Sequence, residues 1–279
     1  MKKRILIGIC AVLLLTSCAH EYNQVYKTTN NDYKYEFAKE CFAKGKYGFA
    51  VPLLQDLVTI EKGTDNAQEC LYMLAMAEYC LKDYQAASET FKKYYQTYPR
   101  GQYAEMASFY IGQSLFEGTP EPRLDQTPTV AAIAAFQEYL DIFPNGKMKE
   151  TAQQRLFALQ DKLVRKEYLN AKLYYNLGSY FGNSIRDVNN SGGNNYEACI
   201  ITAQNALNDY PYSDLREDFA ILIMKSKFEL ALMSVEEKKV QRFQDAEDEC
   251  YGFINEYPES KERKTAEEYI KKCKQYTKD

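Results

Sequence analysis

Four aromatic-proline pairs recur along the chain, and their spacing restricts its fold more than any other feature. Eight and twelve residues before Pro99 stand Phe91 and Ala87, and apolar or small residues occupy the same places before the other three prolines. Residues four apart share one face of a helix, and proline cannot continue a helix. Each pattern therefore predicts a helix that ends at the aromatic residue. The four pairs are Tyr98-Pro99, Phe143-Pro144, Tyr210-Pro211 and Tyr257-Pro258.

Each of these helices follows another amphipathic segment, and a small residue lies near the centre of the first three such segments. Ala38, Ala75 and Gly112 stand 37 residues apart. Pairs of helices with a small residue in each, repeated at such an interval, resemble the tetratricopeptide repeat. A single hairpin cannot bury its apolar face, whereas a stack of hairpins forms a continuous core. An earlier unit lacks the proline but keeps the spacing at Tyr47, Ala50, Leu54 and Leu57.

These repeats predict an all-α fold, a right-handed solenoid of about five tetratricopeptide-like helical hairpins with a C-terminal capping helix. We expect units 1–3 within residues 32–145, and a linker helix, units 4–5 and the capping helix within residues 146–279. The predicted first helices are 33–44, 66–81, 103–116, 168–181 and 215–234, with a separate amphipathic segment at 147–165, a capping helix at 261–276, and loops at 118–128 and 182–195.

Residues 1–17 have the order of a secretory signal peptide, with three cations, then an apolar run, then small residues. The apolar run from Ile5 to Leu15 is shorter than the roughly 20 residues that a membrane-spanning helix needs. We therefore expect this segment to be removed after export and not to cross the membrane as a stable helix.

The residues at the end of this segment, Leu15-Thr16-Ser17-Cys18, resemble the lipobox of bacterial lipoproteins. The resemblance predicts that Cys18 carries lipid and anchors the chain in a bilayer, with residues 18–31 as a polar tether. Ala19 stands where inner-membrane lipoproteins usually carry an aspartate, which favours the outer membrane. The alternative is an ordinary signal peptide followed by a chance cysteine.

Histidine content and charge exclude several classes of function. His20 is the only histidine, so Ser-His-Asp hydrolysis, Cys-His proteolysis and most catalytic zinc sites are not available. The net charge is −4, and it becomes more negative when the three cations of the signal peptide are removed, so we expect no nucleic-acid partner. No phosphate-binding glycine motif occurs. The sequence predicts a binding protein and not an enzyme, with no metal and no cofactor.

Six cysteines remain after Cys10 and Cys18, and none of them forms a Cys-x-x-Cys pair. An exported protein can form disulfides, and Cys250 with Cys273 is the first pair to consider. The other interpretation is that the cysteines are small buried hydrophobic side chains. The six are Cys41, Cys70, Cys80, Cys199, Cys250 and Cys273.

One face of the first helices repeats in register through units 1 to 3. Positions three before, one after and four after the small residue fall on one side of a helix. Two interpretations remain open: an aromatic ladder that grips an extended peptide, or packing between adjacent hairpins. The residues are Tyr35, Lys39 and Phe42 in unit 1, Tyr72, Met76 and Tyr79 in unit 2, and Phe109, Gln113 and Phe116 in unit 3.

The lipobox, the tether and the five hairpins, in this order, resemble the BamD family of outer-membrane lipoproteins of the β-barrel assembly machinery. Local similarity lies in Tyr98-Pro99-Arg100-Gly101, in Phe143-Pro144-Asn145-Gly146 and in the segment from Tyr168 to Tyr175. The resemblance implies a scaffold that faces the periplasm and whose N-terminal half engages the C-terminal signal of unfolded β-barrel proteins. It also implies that the C-terminal half docks on the last periplasmic POTRA domain of BamA.

Three other functions remain as alternatives. A different tetratricopeptide lipoprotein, acting in cell-envelope or cell-wall complexes, would have the same fold and compartment. A glycan-binding lipoprotein resembling the SusD family would be much longer and would stack sugars on tryptophan, whereas this chain has no tryptophan. Carboxylates such as Glu267-Glu268 suggest acid–base catalysis only weakly, because a charged face on a solvated helix accounts for them.

Overall fold

The computed structural model describes residues 21–179 and 194–277, and all regular structure in these two ranges is helical. The all-α prediction is confirmed for this part of the chain. The predicted signal peptide, the lipid-bearing Cys18 and most of the 182–195 loop lie outside the described residues.

Twelve helices follow one another in the described residues, and the first of those residues is already helical. Part of the predicted tether is thus helical, and its Val25 is fully buried. The helices are α1 (21–26), α2 (Asn31–Ala43), α3 (Tyr47–Ile60), α4 (Ala67–Cys80), α5 (Tyr84–Thr97), α6 (Ala104–Glu117), α7 (Thr127–Ile142), α8 (Lys149–Leu177), α9 (Asn195–Asp209), α10 (Arg216–Leu232), α11 (Glu236–Glu256) and α12 (Arg263–Thr277).

The aromatic residue before each repeat proline ends a helix, as predicted. All four of these residues have nearly the same backbone conformation, with φ between −129° and −120° and ψ between 62° and 66°. Each one donates its backbone N–H to the carbonyl four residues earlier, and the proline that follows disfavours a further helical turn. The four residues that end these helices are Tyr98, Phe143, Tyr210 and Tyr257.

Helix α8 differs from the prediction, because it runs unbroken for 29 residues where two separate segments were expected. No proline or glycine occurs between Lys149 and Leu177, and the buried Val164 and Ala171 lie two turns apart on one face. The helix ends before Gly178, which has a φ of 50° that suits glycine. The predicted break near residue 166 was therefore wrong.

The chain forms two compact units, which are described separately. The first comprises residues 1–120 and 126–159, and the second comprises residues 121–125 and 160–279. In the described part of the first unit, apolar clusters lie along α2/α3, α4/α5 and α6/α7. In that of the second, they connect α8, α9 and α10 and then α10, α11 and α12. Neighbouring helices along the chain thus pack as stacked hairpins within each unit.

The turns after Pro99 and Pro144 are closed by a buried tyrosine hydroxyl. The backbone N–H of Tyr103 donates to the Tyr94 hydroxyl at 3.2 Å, and that of Met148 donates to the Tyr139 hydroxyl at 3.1 Å. Each hydroxyl in turn donates to a side chain of the preceding helix, Gln68 or Glu105, at 3.2 Å. The hydroxyl thereby connects the end of one hairpin to the start of the next first helix.

Glycine two residues after the proline leaves room for this hydroxyl. A Cβ on Gly101 would lie 2.7 Å from the Tyr94 oxygen, and one on Gly146 would collide with Tyr139. Because real Cβ atoms do not approach other atoms so closely, a larger residue forces a shift in the turn.

The turns after Pro211 and Pro258 replace the tyrosine and the glycine together. Ala206 and Phe253, which lack a hydroxyl, stand five residues before these prolines. Serine stands in the glycine position, and its Oγ accepts from the amide two residues on: Ser213 from Leu215 and Ser260 from Glu262, both at 3.1 Å. The amide four residues after proline thus has a hydroxyl partner in all four turns.

The tyrosine and glycine of the second hairpin can be replaced by the residue types of the later turns, singly and together, which gives a double-mutant test. We expect Gly101→Ser to destabilise the protein by about 1–3 kcal/mol through overpacking. Tyr94→Phe should cost a similar amount because it leaves the Tyr103 amide without its acceptor. The double variant should lose clearly less than the sum, since the serine then takes that amide. Urea unfolding measures all three, and additive losses would contradict this account.

A buried carboxyl lies within the second hairpin. Glu78 of α4 is 6% exposed, and its Oε2 has no hydrogen-bond partner in the part of the chain that the structure describes. Burial is the main cause that raises the pKa of Glu78, and the nearby Asp83 and Glu89 add to it, while Thr90 and Gln55 oppose it. The ionised side chain is therefore a local source of instability.

Glu78→Gln should stabilise the protein at pH 7 by about 1 kcal/mol, because a buried charge with one unsatisfied oxygen is removed. A carboxyl whose pKa is raised by folding lowers stability above its unfolded pKa and has no such effect below it. The gain should thus shrink as the pH falls and vanish below about pH 4. Thermal unfolding across pH measures the difference, and a gain that persists at pH 3 would contradict the assignment.

Candidate functional site

The predicted binding face of units 1 to 3 is partly core and partly surface. Tyr35 is 5% exposed, and its hydroxyl donates to Glu69 Oε2 of the next first helix at 2.6 Å. Phe109 is 2% exposed and packs on Phe136 and Tyr139. For these two residues the packing interpretation describes the structure, because hardly any of their surface faces solvent.

Tyr72 occupies the same helical position in the second hairpin and is half-buried. Its ring stacks on Tyr103 with the centroids 4.4 Å apart and an angle of 10° between the planes. Burial raises the pKa of Tyr72 to about 12. Tyr72 thus holds the second hairpin to the start of the third.

The positions that follow the small residue are more open. Lys39 Nζ lies 3.6 Å from Glu69 Oε1 and 4.9 Å from the centroid of the Tyr35 ring. Phe42 is half-buried and meets Tyr47 edge-on at 5.5 Å. This part of the face presents a cation and an aromatic edge, and it joins the first hairpin to the second.

The second hairpin contributes a methionine and a tyrosine to the same face. Met76 and Tyr79 are half-buried, and Tyr79 meets Tyr84 and Tyr110 edge-on at 5.6 Å and 5.2 Å. Burial raises the pKa of Tyr79, and a hydrogen bond with Gln113 partly offsets this. The contact with Gln113 joins the second hairpin to the third.

Gln113 of the third hairpin contacts Arg155, a residue that the sequence analysis missed. Gln113 is 6% exposed, and its Oε1 accepts from Arg155 Nε of α8 at 3.3 Å. The guanidinium carbon of Arg155 lies 4.5 Å from the centroid of the half-buried Phe116 ring. The sequence feature that could have indicated this part of α8 is Ala152, a fully buried small residue 40 positions after Gly112. It continues the series of small residues into α8.

We use the name groove face for the half-buried residues that follow the small residue in units 1 to 3, together with Arg155. The face runs along the first helices α2, α4 and α6 and includes one residue of α8, and it combines aromatic rings, a thioether and two cations. Its residues are Lys39, Phe42, Met76, Tyr79, Phe116 and Arg155.

The second unit has a cleft of about 270 Å³ between α9, α10 and α11. Its apolar lining residues are termed the floor, and Ile201 among them is 58% exposed. Its charged lining residues are termed the walls. The lining residues are Glu197, Ile200, Ile201, Lys227, Leu230, Arg242 and Asp245.

Ion pairs fix the walls of this cleft. One terminal nitrogen of Arg242 lies 2.6 Å from Glu197 Oε1, and the other donates to Ser234 Oγ at 2.8 Å. Lys227 Nζ lies 2.5 Å from Glu249 Oε2. An apolar floor between charged side chains that ion pairs hold in place is typical of a protein-docking surface.

The cysteines of the described chain are all unpaired, and five of the six are buried. Burial raises the pKa of Cys250 to about 12 and that of Cys273 to about 11. The structure therefore has no Cys250–Cys273 disulfide and agrees with the interpretation of these residues as buried hydrophobic side chains.

Residues 21–179 and 194–277 contain neither a candidate membrane-spanning helix nor a candidate metal site. No helix there has both the length and the apolar character needed to cross a bilayer. The same residues contain no group of three or more His, Cys, Asp or Glu side chains placed to hold a metal ion.

The stacked hairpins and their surfaces define a tetratricopeptide-like helical-repeat protein. The YfiO family of outer membrane lipoproteins matches residues 27–190, which is more than half of the chain. The chain therefore belongs to the YfiO (BamD) family of outer membrane lipoproteins, and the resemblance noted in the sequence is confirmed. No curated protein matches the sequence.

Burial separates the two phenylalanines of α6 by their effect on stability. Phe109→Ala should lower the free energy of unfolding by about 3–5 kcal/mol, because a filled core position is emptied. Phe116→Ala should cost less than half as much, since its ring is only half-buried. Urea unfolding of the two variants tests this, and equal losses would show that Phe109 is not a core residue.

Proposed function

We propose that this protein is a lipid-anchored periplasmic scaffold of the outer-membrane β-barrel assembly machinery. The observation that carries the proposal is membership of the YfiO family of outer membrane lipoproteins over residues 27–190. Cys18 is the proposed lipid attachment point. In this proposal a surface of the first unit binds client chains and a surface of the second unit binds a partner, and no chemical step is assigned to the protein.

The groove face is the proposed site for the C-terminal signals of unfolded barrel proteins. Such signals are amphipathic β-strand segments that end in an aromatic residue. Tyr79 and Phe116 offer ring area at a small entropic cost, and the thioether of Met76 adapts to varied side chains. Partial exposure of all three supports this role, because each keeps surface free for a ligand while its helix stays packed.

The cleft of the second unit is the proposed docking surface for the POTRA domain of BamA. Ile201 provides an exposed aliphatic side chain at its floor, and Arg242 and Lys227 are held by acidic partners. Apolar contact at the centre with polar contacts around it is the usual arrangement in such interfaces. The proposed region extends from Tyr196 to Tyr276.

A crossed experiment with two matched pairs of variants tests both roles. Met76→Ala/Tyr79→Ala should weaken binding of a fluorescent peptide that ends in an aromatic β-strand by about tenfold. The control, Met233→Ala/Tyr251→Ala, removes the same residue types from exposed positions of the second unit and should leave peptide affinity unchanged. Fluorescence anisotropy measures the affinities, and thermal unfolding confirms that the variants are folded.

The second arm measures capture of BamA. Ile201→Glu should abolish capture of the POTRA domain, because a charge is placed on the apolar floor. Val130→Glu makes the same kind of change at a similarly exposed site of the first unit and should have no effect. Unchanged peptide affinity in the first arm or persistent capture in the second would refute the corresponding role, and an exchange of the two effects would reverse the assignment.

A further inference from the structure

Arg155 is held in place by two contacts, and its other N–H donors have no partner among the described residues. Its Nε donates to Gln113 Oε1 at 3.3 Å, and its guanidinium carbon lies 4.5 Å from the Phe116 ring centroid. Guanidinium has five N–H donors in one plane, and the Nε bond engages one of them. The hydrogen bond and the contact with the ring together fix the orientation of that plane. A long arginine side chain without such contacts has no fixed orientation.

Arg155 has no acidic partner among the described residues. Arg216, Arg242 and Arg263 each form an ion pair with a glutamate, whereas Arg155, although half-buried, does not. The nearby Glu117 is instead hydrogen-bonded by Gln113 Nε2 at 2.8 Å, so the Gln113 amide stands between the two charges. A half-buried cation that is already oriented and lacks a counter-ion is suited to an incoming anion.

A planar guanidinium with free terminal nitrogens binds carboxylates by two parallel hydrogen bonds. Phe116 lies directly beside this group, and Tyr79 lies on the neighbouring helix. A terminal aromatic residue carries its ring and its α-carboxylate on the same Cα, so the two groups are close together, as the Phe116 ring and the guanidinium are. This pairing favours the free C-terminus of a polypeptide over an internal acidic side chain.

We propose that Arg155 binds the terminal α-carboxylate of the polypeptide on the groove face, with the terminal aromatic side chain against Phe116. The inference rests on the proposed function, because it assumes that the groove face binds C-terminal segments. It adds a specific requirement: the client must present a free C-terminus, and an internal copy of the same segment is bound poorly.

The experiment compares one peptide in three forms, with the full-length lipoprotein in detergent. The forms are an amphipathic β-strand peptide ending in phenylalanine as the free acid, the same peptide as the C-terminal amide, and the amide with one internal glutamate that restores the net charge. Charge-assisted hydrogen bonds to a carboxylate should make the free acid bind at least about tenfold more tightly than either amide.

Variants of Arg155 should remove this preference without abolishing binding. Arg155→Gln should bind all three peptides with the affinity that the wild type has for the amide. Arg155→Lys keeps the charge but not the planar fork and should retain only part of the preference. The matched control is Arg165→Gln, which removes one charge from an exposed position of the same helix and should keep the full preference. Glu117→Gln should tighten binding of the free acid.

The outcomes separate this inference from the proposed function. Equal binding of acid and amide by the wild type overturns the role of Arg155 and leaves the groove face as a peptide site. Tight binding of the glutamate-bearing amide overturns the assignment to the C-terminus. Retention of the preference by a folded Arg155→Gln variant also overturns the inference. If no peptide binds the wild type, the proposed client site itself fails.

Discussion

The amide four residues after each repeat proline is the group on which the stack of hairpins depends. It lies where one hairpin has ended and the next first helix begins, so it has no helical carbonyl to accept its hydrogen bond. Tyr94 and Tyr139 supply a hydroxyl from the preceding helix, and Ser213 and Ser260 supply one from within the turn. The two solutions differ in consequence, because the tyrosine also packs in the core and ties the turn to an earlier helix.

The hydrogen bonds that close these turns determine where the groove face lies. Once the turn sets the start of a first helix, the residue three positions before the small residue packs towards its neighbours, as Tyr35 and Phe109 do. Except for the buried Gln113, the residues after the small one remain half-open, and they contact the next first helix through polar groups such as Lys39 with Glu69. The same helical stripe therefore contributes to stability on one edge and offers a ligand surface on the other.

Much of this fold could be predicted from the sequence, since the aromatic-proline pairs and the small residues mark helix ends and close helix contacts through purely local rules. The continuity of α8 was missed because polar residues near Lys166 hide a stripe that Val164 and Ala171 continue. Periodicity also identified the stripe of the candidate site but not the burial of Tyr35 or Phe109. Arg155 was overlooked because its contact with Gln113 spans 42 residues, a separation that no local pattern indicates.

The buried cysteines give the folded chain a chemical property of its own. Only the thiolate attacks a disulfide, and burial raises the pKa of Cys70 and Cys250 to about 12. These thiols stay protonated near neutral pH and are shielded from oxidants for as long as the helices remain packed. Unfolding exposes them and returns them to ordinary reactivity. In an oxidising compartment, the rate at which this chain acquires disulfides is then a measure of how often its hairpins open.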